Sequence, residues 1–408
     1  MTAREYPVFT VTPKAERSLR AGHPWVYGEE VTAVEGAYQN GDMVDVVSNK
    51  GRYLGTGWVN DHSKIRVRII SRNANDTFDE AFFRRRVCYA LNYRKTVMGP
   101  VDYRCCRLIF GEADQFPGLT VDRFENILVT QVLSLGMERR KDWVYRALVE
   151  LLREDGEQID AIYERNDVAI RTLEGLEQGK GFYQMEGLKT DLSGHVTITE
   201  NRIKYDVDYM EGQKTGFFLD QKYNRQVAAK LARGRRVLDC FTHTGAFALN
   251  AAAAGAEHVT AVDVSAFALE LAAENGKRNG LTNLDYKCAD VFDLLTEMAK
   301  EKKCDYDYII LDPPAFTKSR ATAKNAYHGY KEINRKAMRL LPRGGYLATC
   351  SCSHFMTDEM FRKMLQEAAL DAGVTLRQIE ARQQAPDHPI LPGVPETDYL
   401  KFYLLQVV

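Results

Sequence analysis

Arg236-Val237-Leu238-Asp239-Cys240-Phe241-Thr242-His243-Thr244-Gly245 is the stretch on which the fold turns. A short apolar strand ends in an acid, and Thr-Gly then opens the alanine-rich run Ala246 to Ala254, which has the make-up of a helix. The same pattern repeats downstream. His258 to Val262, Leu284 to Cys288, Tyr306 to Leu311 and Tyr346 to Cys350 are strand-like, while Ala266 to Asn279, Val291 to Lys300, Asn325 to Leu341 and Asp358 to Ala372 are helical. Such alternation predicts an α/β domain, a doubly wound parallel sheet with helices on both faces. The tail departs from it: Thr375 to Ala381 and Tyr399 to Val407 are β-rich with no helix between them, so an antiparallel pair is expected at the sheet edge.

Upstream of about residue 196 the texture differs. Met43 to Val47 and Tyr53 to Val59 flank a Ser48 to Gly51 turn, and Lys64 to Ile70 alternates Ile65, Val67 and Ile69 with Lys64, Arg66 and Arg68. A small half-buried antiparallel sheet or barrel follows for residues 1–75. Alternation puts Arg66 and Arg68 on one face away from the core, where they meet either phosphates or only water. A helix from about Asp76 to Lys95, bearing Arg84, Arg85 and Arg86, opens an α+β segment to residue 195. Its strands are expected at Leu119 to Val121, Ile127 to Leu133, Ala161 to Arg165 and Val168 to Leu173, with an amphipathic helix over Met137 to Arg153. The arginine run fits a solvated helix face better than a nucleic-acid contact.

A length of 408 residues asks for two or three domains, here 1–75, 76–195 and 196–408. Apolar residues at 45% and charged residues at 27% exclude disorder and low-complexity architecture. A formal charge of −1 excludes a protein that holds nucleic acid by net charge, though not a local basic face. No apolar run approaches the ~20 residues of a membrane helix, and no signal peptide opens the chain, so a cytoplasmic protein without membrane contact is expected. Eight cysteines are too sparse for a disulfide framework and lack C-x-x-C pairs, so reduced thiols and no metal are expected.

In a doubly wound sheet ligands bind beyond the carboxyl ends of the strands, which singles out four loops. The first, Asp239 to Gly245, lacks the G-x-G-x-x-G of a pyrophosphate site. It resembles the first motif of class I S-adenosylmethionine-dependent methyltransferases, in which one glycine lets the backbone approach the methionine end of the cofactor. Asp263, 18 residues beyond Gly245, suits a carboxylate accepting both ribose hydroxyls. Asp290, in Cys288 to Phe292, offers a carboxylate to the adenine amine. Each acid alone also fits a helix N-cap; three after consecutive strands carry more weight. In the fourth loop, Asp312-Pro313-Pro314-Ala315-Phe316, the prolines stiffen the backbone and Phe316 offers a stacking platform, which reads as a nucleobase site. The next strand ends in Thr349-Cys350-Ser351-Cys352-Ser353 and is expected beside the one ending at Asp312. C5 of cytosine is a poor nucleophile, and its methylation needs a thiolate to add first at C6. Cys350, still within the strand, reads as a buried structural residue, and Cys352, one step beyond, as functional.

These residues resemble the bacterial large-subunit ribosomal RNA methyltransferase I family, 5-methylcytosine-forming enzymes with an N-terminal PUA domain. The resemblance covers nearly the whole chain. It rests on Gly22-His23-Pro24-Trp25-Val26-Tyr27, Gly111-Glu112-Ala113-Asp114 with Pro117-Gly118-Leu119 and Val121-Asp122-Arg123, and Gly212 to Gln221 (GQKTGFFLDQ). Asp387-His388-Pro389 with Glu396 and Tyr399-Leu400-Lys401 complete it. It implies an RNA-binding PUA domain, a central α+β domain and a Rossmann-like methyltransferase domain acting on ribosomal RNA. It further implies cofactor contact by Asp239, Phe241, Thr242, Thr244, Gly245, Asp263 and Asp290, with Thr215 and Phe217 closing over the cofactor. Cys352 is implied as nucleophile and Asp312 as the group holding cytosine N3 protonated, beside Pro313, Pro314 and Phe316. Two departures stand out: Cys350 precedes the matching cysteine by two residues, and Gln115-Phe116 replaces Gly-Leu. Methylation of an exocyclic amine such as guanine N2, which needs no thiol, is the alternative within enzymes; a non-catalytic RNA-binding protein is the alternative outside them. The target nucleotide is left open, as is a homodimer.

Overall fold

The structure, a computed structural model, describes residues 5–301, 305–317 and 319–408. The chain divides into two compact units and passes between them repeatedly. One comprises Met1–Ile198, Val207–Leu219 and Pro386–Thr397, and the other Thr199–Asp206, Asp220–Ala385 and Asp398–Val408.

Among the described residues of the first unit, a six-stranded sheet spans Val8 to Ser71 and a five-stranded sheet spans Cys105 to Phe182. The first sheet closes over Phe9, Val11, Val26, Val44, Val46, Val59 and Val67. The second carries helices Glu80–Val97 and Lys141–Glu154. Two expectations need correction. Val168 to Leu173 is no strand: Ala169–Glu174 is a 3-10 helix ended by Gly175 in the left-handed region. Arg171 there turns inward to the carbonyls of Val132 and Glu177 and to Glu138, and this anchoring winds the segment. Nor does Arg68 face solvent. It is 9% exposed, donates to Glu174 at 2.8 Å, and lies over the Trp25 ring. Alternation sorts residues between the faces of a strand, but here residues 169–174 cover the second face, which sequence spacing cannot report. Arg66 donates to Asp61, Arg84 to Glu150 and Glu154, and Arg86 to the Ile70 carbonyl.

The late segments join this unit by specific bonds. Asp387 accepts from the backbone N–H of Arg107 at 2.8 Å, and its carbonyl accepts from the wholly buried Arg94 at 2.8 Å. Thr215 donates to Asp122 at 2.6 Å, and Asp122 also takes both donors of Arg107.

The second unit holds the regular alternation. Its main strands are β1 (Arg236–Cys240), β2 (His258–Asp263), β3 (Leu284–Cys288), β4 (Tyr308–Leu311), β5 (Tyr346–Ser351), β6 (Leu376–Arg382) and β7 (Lys401–Val407). Among the described residues they form one sheet in the order β3-β2-β1-β4-β5-β7-β6, parallel from β3 to β5. β7 enters antiparallel between β5 and β6, as the helix-free tail predicts. Helices α1 (Ala246–Ala253), α2 (Ala266–Arg278), α3 (Val291–Glu301), α4 (Ala323–Leu340) and α5 (Asp358–Ala372) supply the crossovers. Alternate strand positions enter two cores: Val237, Tyr308, Ile310, Ala348 and Cys350 pack with α1, whereas Leu238, Ile309, Leu311 and Leu347 pack with α3, α4 and α5. Strand order reverses between β1 and β4, and a crevice for ligands opens at such a point.

Candidate active site at the strand ends

Asp239, near the end of β1, is fully buried. Its Oδ2 accepts from the Thr242 hydroxyl at 2.6 Å and from the Ala248 N–H at 2.9 Å, so the acid ties the loop to the first turn of α1. Oδ1 is enclosed and has no partner among the described residues. Burial pushes this carboxyl up to about 7, with Asp312 and Asp263 adding to the rise and the two hydrogen bonds opposing it. Phe241 and His243 adopt left-handed φ of 63° and 51°, a strained backbone for bulky residues. The neighbouring strand enforces it: Thr242 N–H donates to the Val262 carbonyl at 2.9 Å, and His243 N–H to Asp263 Oδ2 at 2.9 Å. Thr244 is buried behind them.

Gly245 has a φ of 83°, and a Cβ there would lie 3.0 Å from Ala272 Cβ. A side chain at this position would therefore press on α2. Asp263, half-buried at the tip of β2, accepts from Ser265 N–H at 3.0 Å as well as from His243. Asp290 is exposed and caps α3, its Oδ1 accepting from the N–H groups of Phe292 (2.7 Å) and Asp293 (3.1 Å).

On the other side of the switch point, Leu311 of β4 pairs with Thr349 of β5, so the next residues, Asp312 and Cys350, stand side by side. The Cys350 thiol and the Asp312 carboxyl lie close enough that each shifts the other. Gln221 Nε2 donates to Asp312 Oδ1 at 3.0 Å and is itself held by Asn224, whose Nδ2 donates to Gln221 Oε1 at 2.7 Å. Burial and the nearby Asp220 push Asp312 up to about 6, against the pull of Arg225, Gln221 and Cys350. Burial first, then the Asp312 charge, raises Cys350 well above the ordinary thiol range, so it stays protonated. Cys352, two residues on and half-buried, brings Sγ to 4.0 Å from the Pro313 carbonyl. Pro313 is buried and Pro314 exposed, while the Phe316 ring packs 4.5 Å from Tyr330 and 5.8 Å from Phe292.

The structure thus gathers Asp239, Phe241, Thr242, Thr244, Gly245 and Asp263 around the ends of β1 and β2. Asp312, Pro313, Phe316 and Cys352 gather around those of β4 and β5. Thr215, Phe217, Arg66 and Arg68 belong to the first unit. Gln221 is a further candidate that sequence reasoning did not single out although it closes the GQKTGFFLDQ motif; its bond to Asp312, 91 residues away, is visible only in the fold.

The donor set fits S-adenosylmethionine: a half-buried carboxylate at the tip of β2, Asp263, for hydroxyls, beside a loop that buried Asp239 holds in place. Residues 9–72 match the PUA-like domain family, and residues 183–405 match the S-adenosylmethionine-dependent methyltransferase family. Fold and site therefore define an S-adenosylmethionine-dependent methyltransferase that carries a PUA-like domain. Relatives called ribosomal RNA large subunit methyltransferase I are similar along their whole length. That of Pseudoalteromonas atlantica is 40% identical, covering 98% of this chain and 99% of its own. That of Shewanella denitrificans is 42% identical, covering 97% and 98%. The chain belongs to the ribosomal RNA large subunit methyltransferase I family. Among solved structures, a candidate SAM-dependent methyltransferase from Streptococcus mutans shares the fold, with TM-score 0.81, 22% identity and coverage of 98% of this chain and 100% of that one. So does a methyltransferase-like protein complexed with SAH, with TM-score 0.82, 21% identity and the same coverage. No helix among the described residues is long and apolar enough to cross a membrane.

Proposed function

We propose that the protein methylates C5 of a cytosine in large-subunit ribosomal RNA, with Cys352 as nucleophile. The observation that carries this reading is that Cys352 and Asp312 follow the ends of adjacent strands, the Cys352 thiol lying 4.0 Å from the Pro313 carbonyl while buried Cys350, beside Asp312, is pushed toward its protonated form. The names of the full-length relatives support ribosomal RNA as substrate.

S-adenosylmethionine supplies an electrophilic methyl group. The residues proposed to hold it are Asp263 at the ribose, Asp290 at the adenine and the Asp239 to Gly245 loop at the methionine end. Cys352 thiolate would form a bond to C6, and the displaced ring electrons would collect at C5, which takes the methyl group as its bond to sulfur breaks and S-adenosylhomocysteine leaves. Asp312, titrating near 6, holds a proton at N3 while charge develops there. The C5 proton then leaves to solvent, its bonding electrons re-form the C5–C6 double bond, and the S–C6 bond breaks to return the thiolate. Pro313 and Pro314 fix the loop that faces the base. Arg68 is buried against Glu174 and is not assigned to the RNA path, whereas Arg66, in an exposed pair with Asp61, keeps its place on that face.

The test is covalent capture. Fluorine at C5 blocks the proton loss, so RNA carrying 5-fluorocytosine should trap an adduct in wild type and in Cys350→Ala, and none in Cys352→Ala. An adduct in Cys352→Ala would refute the assignment. Full methylation by the double variant would move the enzyme to exocyclic-amine chemistry.

A further inference from the structure

Lys401 opens β7, directly opposite Ser351 of β5. Its side chain is 4% exposed and runs past the end of the strand pair. There Nζ donates to the Ser353 carbonyl and to the Tyr399 carbonyl, both at 2.7 Å. The first of these belongs to the residue immediately after Cys352, so the ammonium grips the turn that presents the thiol. Among the described residues no carboxylate forms an ion pair with it. A buried ammonium calls for a counter-charge or gives up its proton. Two carbonyls solvate this one but carry no net charge.

We propose that Lys401 is a positioning residue for the reaction: it fixes the Cys352 turn and stabilises the thiolate, forming an ammonium–thiolate pair. The inference rests on the reading of Cys352 as nucleophile. Its electrostatics agree with the geometry. Burial brings the Lys401 ammonium down to about 8, and the neighbour that most opposes this is Cys352, ahead of Asp398 and Asp358. The groups facing the pair from other elements are neutral or already engaged. Tyr330 of α4, pushed up to about 12 by burial, shares a hydrogen bond with the Ser353 hydroxyl at 2.9 Å. Cys350 of β5 is held protonated beside Asp312. Asp358 of α5 accepts from Tyr403, and Asp398 from Gln383 at 3.1 Å. Within this set Lys401 is the cation. On thiol ionisation the proton leaves to solvent and the charge stays beside the ammonium. The two groups titrate as a pair, and in sufficiently alkaline solution the lysine loses its charge and its hold on the thiolate.

Alkylation of Cys352 by iodoacetamide, followed by peptide mass spectrometry on the full-length protein without RNA across neutral and alkaline pH, reads thiolate formation directly. In wild type the midpoint should lie below that of a free cysteine. In Lys401→Met it should rise by about one pH unit or more, with a roughly tenfold slower reaction at neutral pH. Lys401→Arg, which keeps the charge, should stay near wild type. A wild-type midpoint at or above that of free cysteine overturns the proposal without recourse to any variant. Superimposable profiles for wild type and Lys401→Met, with cofactor affinity retained, overturn it as well. Failure of the nucleophile reading is separate, since it shows as a fluorocytosine adduct persisting in Cys352→Ala whatever the alkylation profile.

Discussion

Asp239 and Asp263 are both acids at the ends of neighbouring strands, yet burial gives them different work. Asp239 faces inward and holds a loop, and its carboxyl is pushed from 3.8 to about 7. Between about pH 4 and about pH 7 the native protein keeps a proton there that the unfolded chain has released. Stability from this group is therefore highest in acid and falls as pH rises through that window. Asp239→Asn should remove the slope, becoming more stable relative to wild type by on the order of 2–4 kcal/mol from the acid to the neutral end. Urea midpoints at the two pH values check it, and a constant difference would refute it. Asp263 keeps a half-buried carboxylate whose two oxygens each accept one backbone N–H. Asp263→Ala should weaken S-adenosylmethionine binding by roughly 1.5–3 kcal/mol, the range for hydrogen bonds to a charged group. Unchanged affinity in calorimetry would take Asp263 out of the cofactor site. The acids were legible because each ends a strand-like run. What each accepts was not, since the donors come from backbone that only folding brings round.

The junction of β1 with α1 and α2 is where a single element change should be felt most. Gly245 combines a φ of 83° with a Cβ position 3.0 Å from Ala272 and 3.3 Å from Leu249. Gly245→Ala should cost about 1–3 kcal/mol through backbone strain and displaced packing, with loss of cofactor affinity as the loop shifts. A thermal unfolding midpoint equal to wild type would show that the helices relax without penalty. A second element is braced by Arg225, in helix Lys222–Ala229, whose Nε and Nη2 donate to Glu200 at 2.7 and 2.8 Å in a wholly buried pair. Arg225→Met alone should destabilise by about 3–5 kcal/mol by stranding the Glu200 charge, while the double change Glu200→Met with Arg225→Met should recover most of it. Equal losses in the single and double variants would place the cost in packing instead.

At the scale of the whole molecule, the first unit is assembled from three separate stretches of chain. Buried Arg94 bonds Asp114 from the same stretch and the Asp387 carbonyl from a distant one. Asp122 likewise bonds Arg107 and Thr215. A fragment of residues 1–198 lacks Thr215 and Asp387, which leaves Arg94 and Asp122 each short of a partner. It should melt below the first transition of the full chain and be cut faster by protease. Equal resistance would show that residues 207–219 and 386–397 are dispensable to that unit. Most helices and strands of this unit were legible in the sequence, though not the 3-10 turn at Ala169–Glu174 or the strand Cys105–Phe110; the return of these two segments was not, because nothing in their own composition names the sheet they join.

Local order and chemistry came from the sequence alone: the alternation of β1 to β5 with their helices, the antiparallel tail, the acids at the strand tips, and the Asp312 and Cys352 pair as candidate machinery. These are properties of period and position, and a chain of 408 residues displays them without folding. Tertiary structure decided which polar groups are satisfied and by whom. Arg68 turned from a solvent-facing cation into a buried partner of Glu174, and Gly245 proved to sit where a side chain would press on Ala272. Lys401 became a buried ammonium bonded to the Ser353 carbonyl, 48 residues earlier in the chain, on the turn that carries Cys352. The physical reason is common to all three. Burial sets the energy of a charge and the room beside a backbone, and burial depends on surfaces that distant segments bring together.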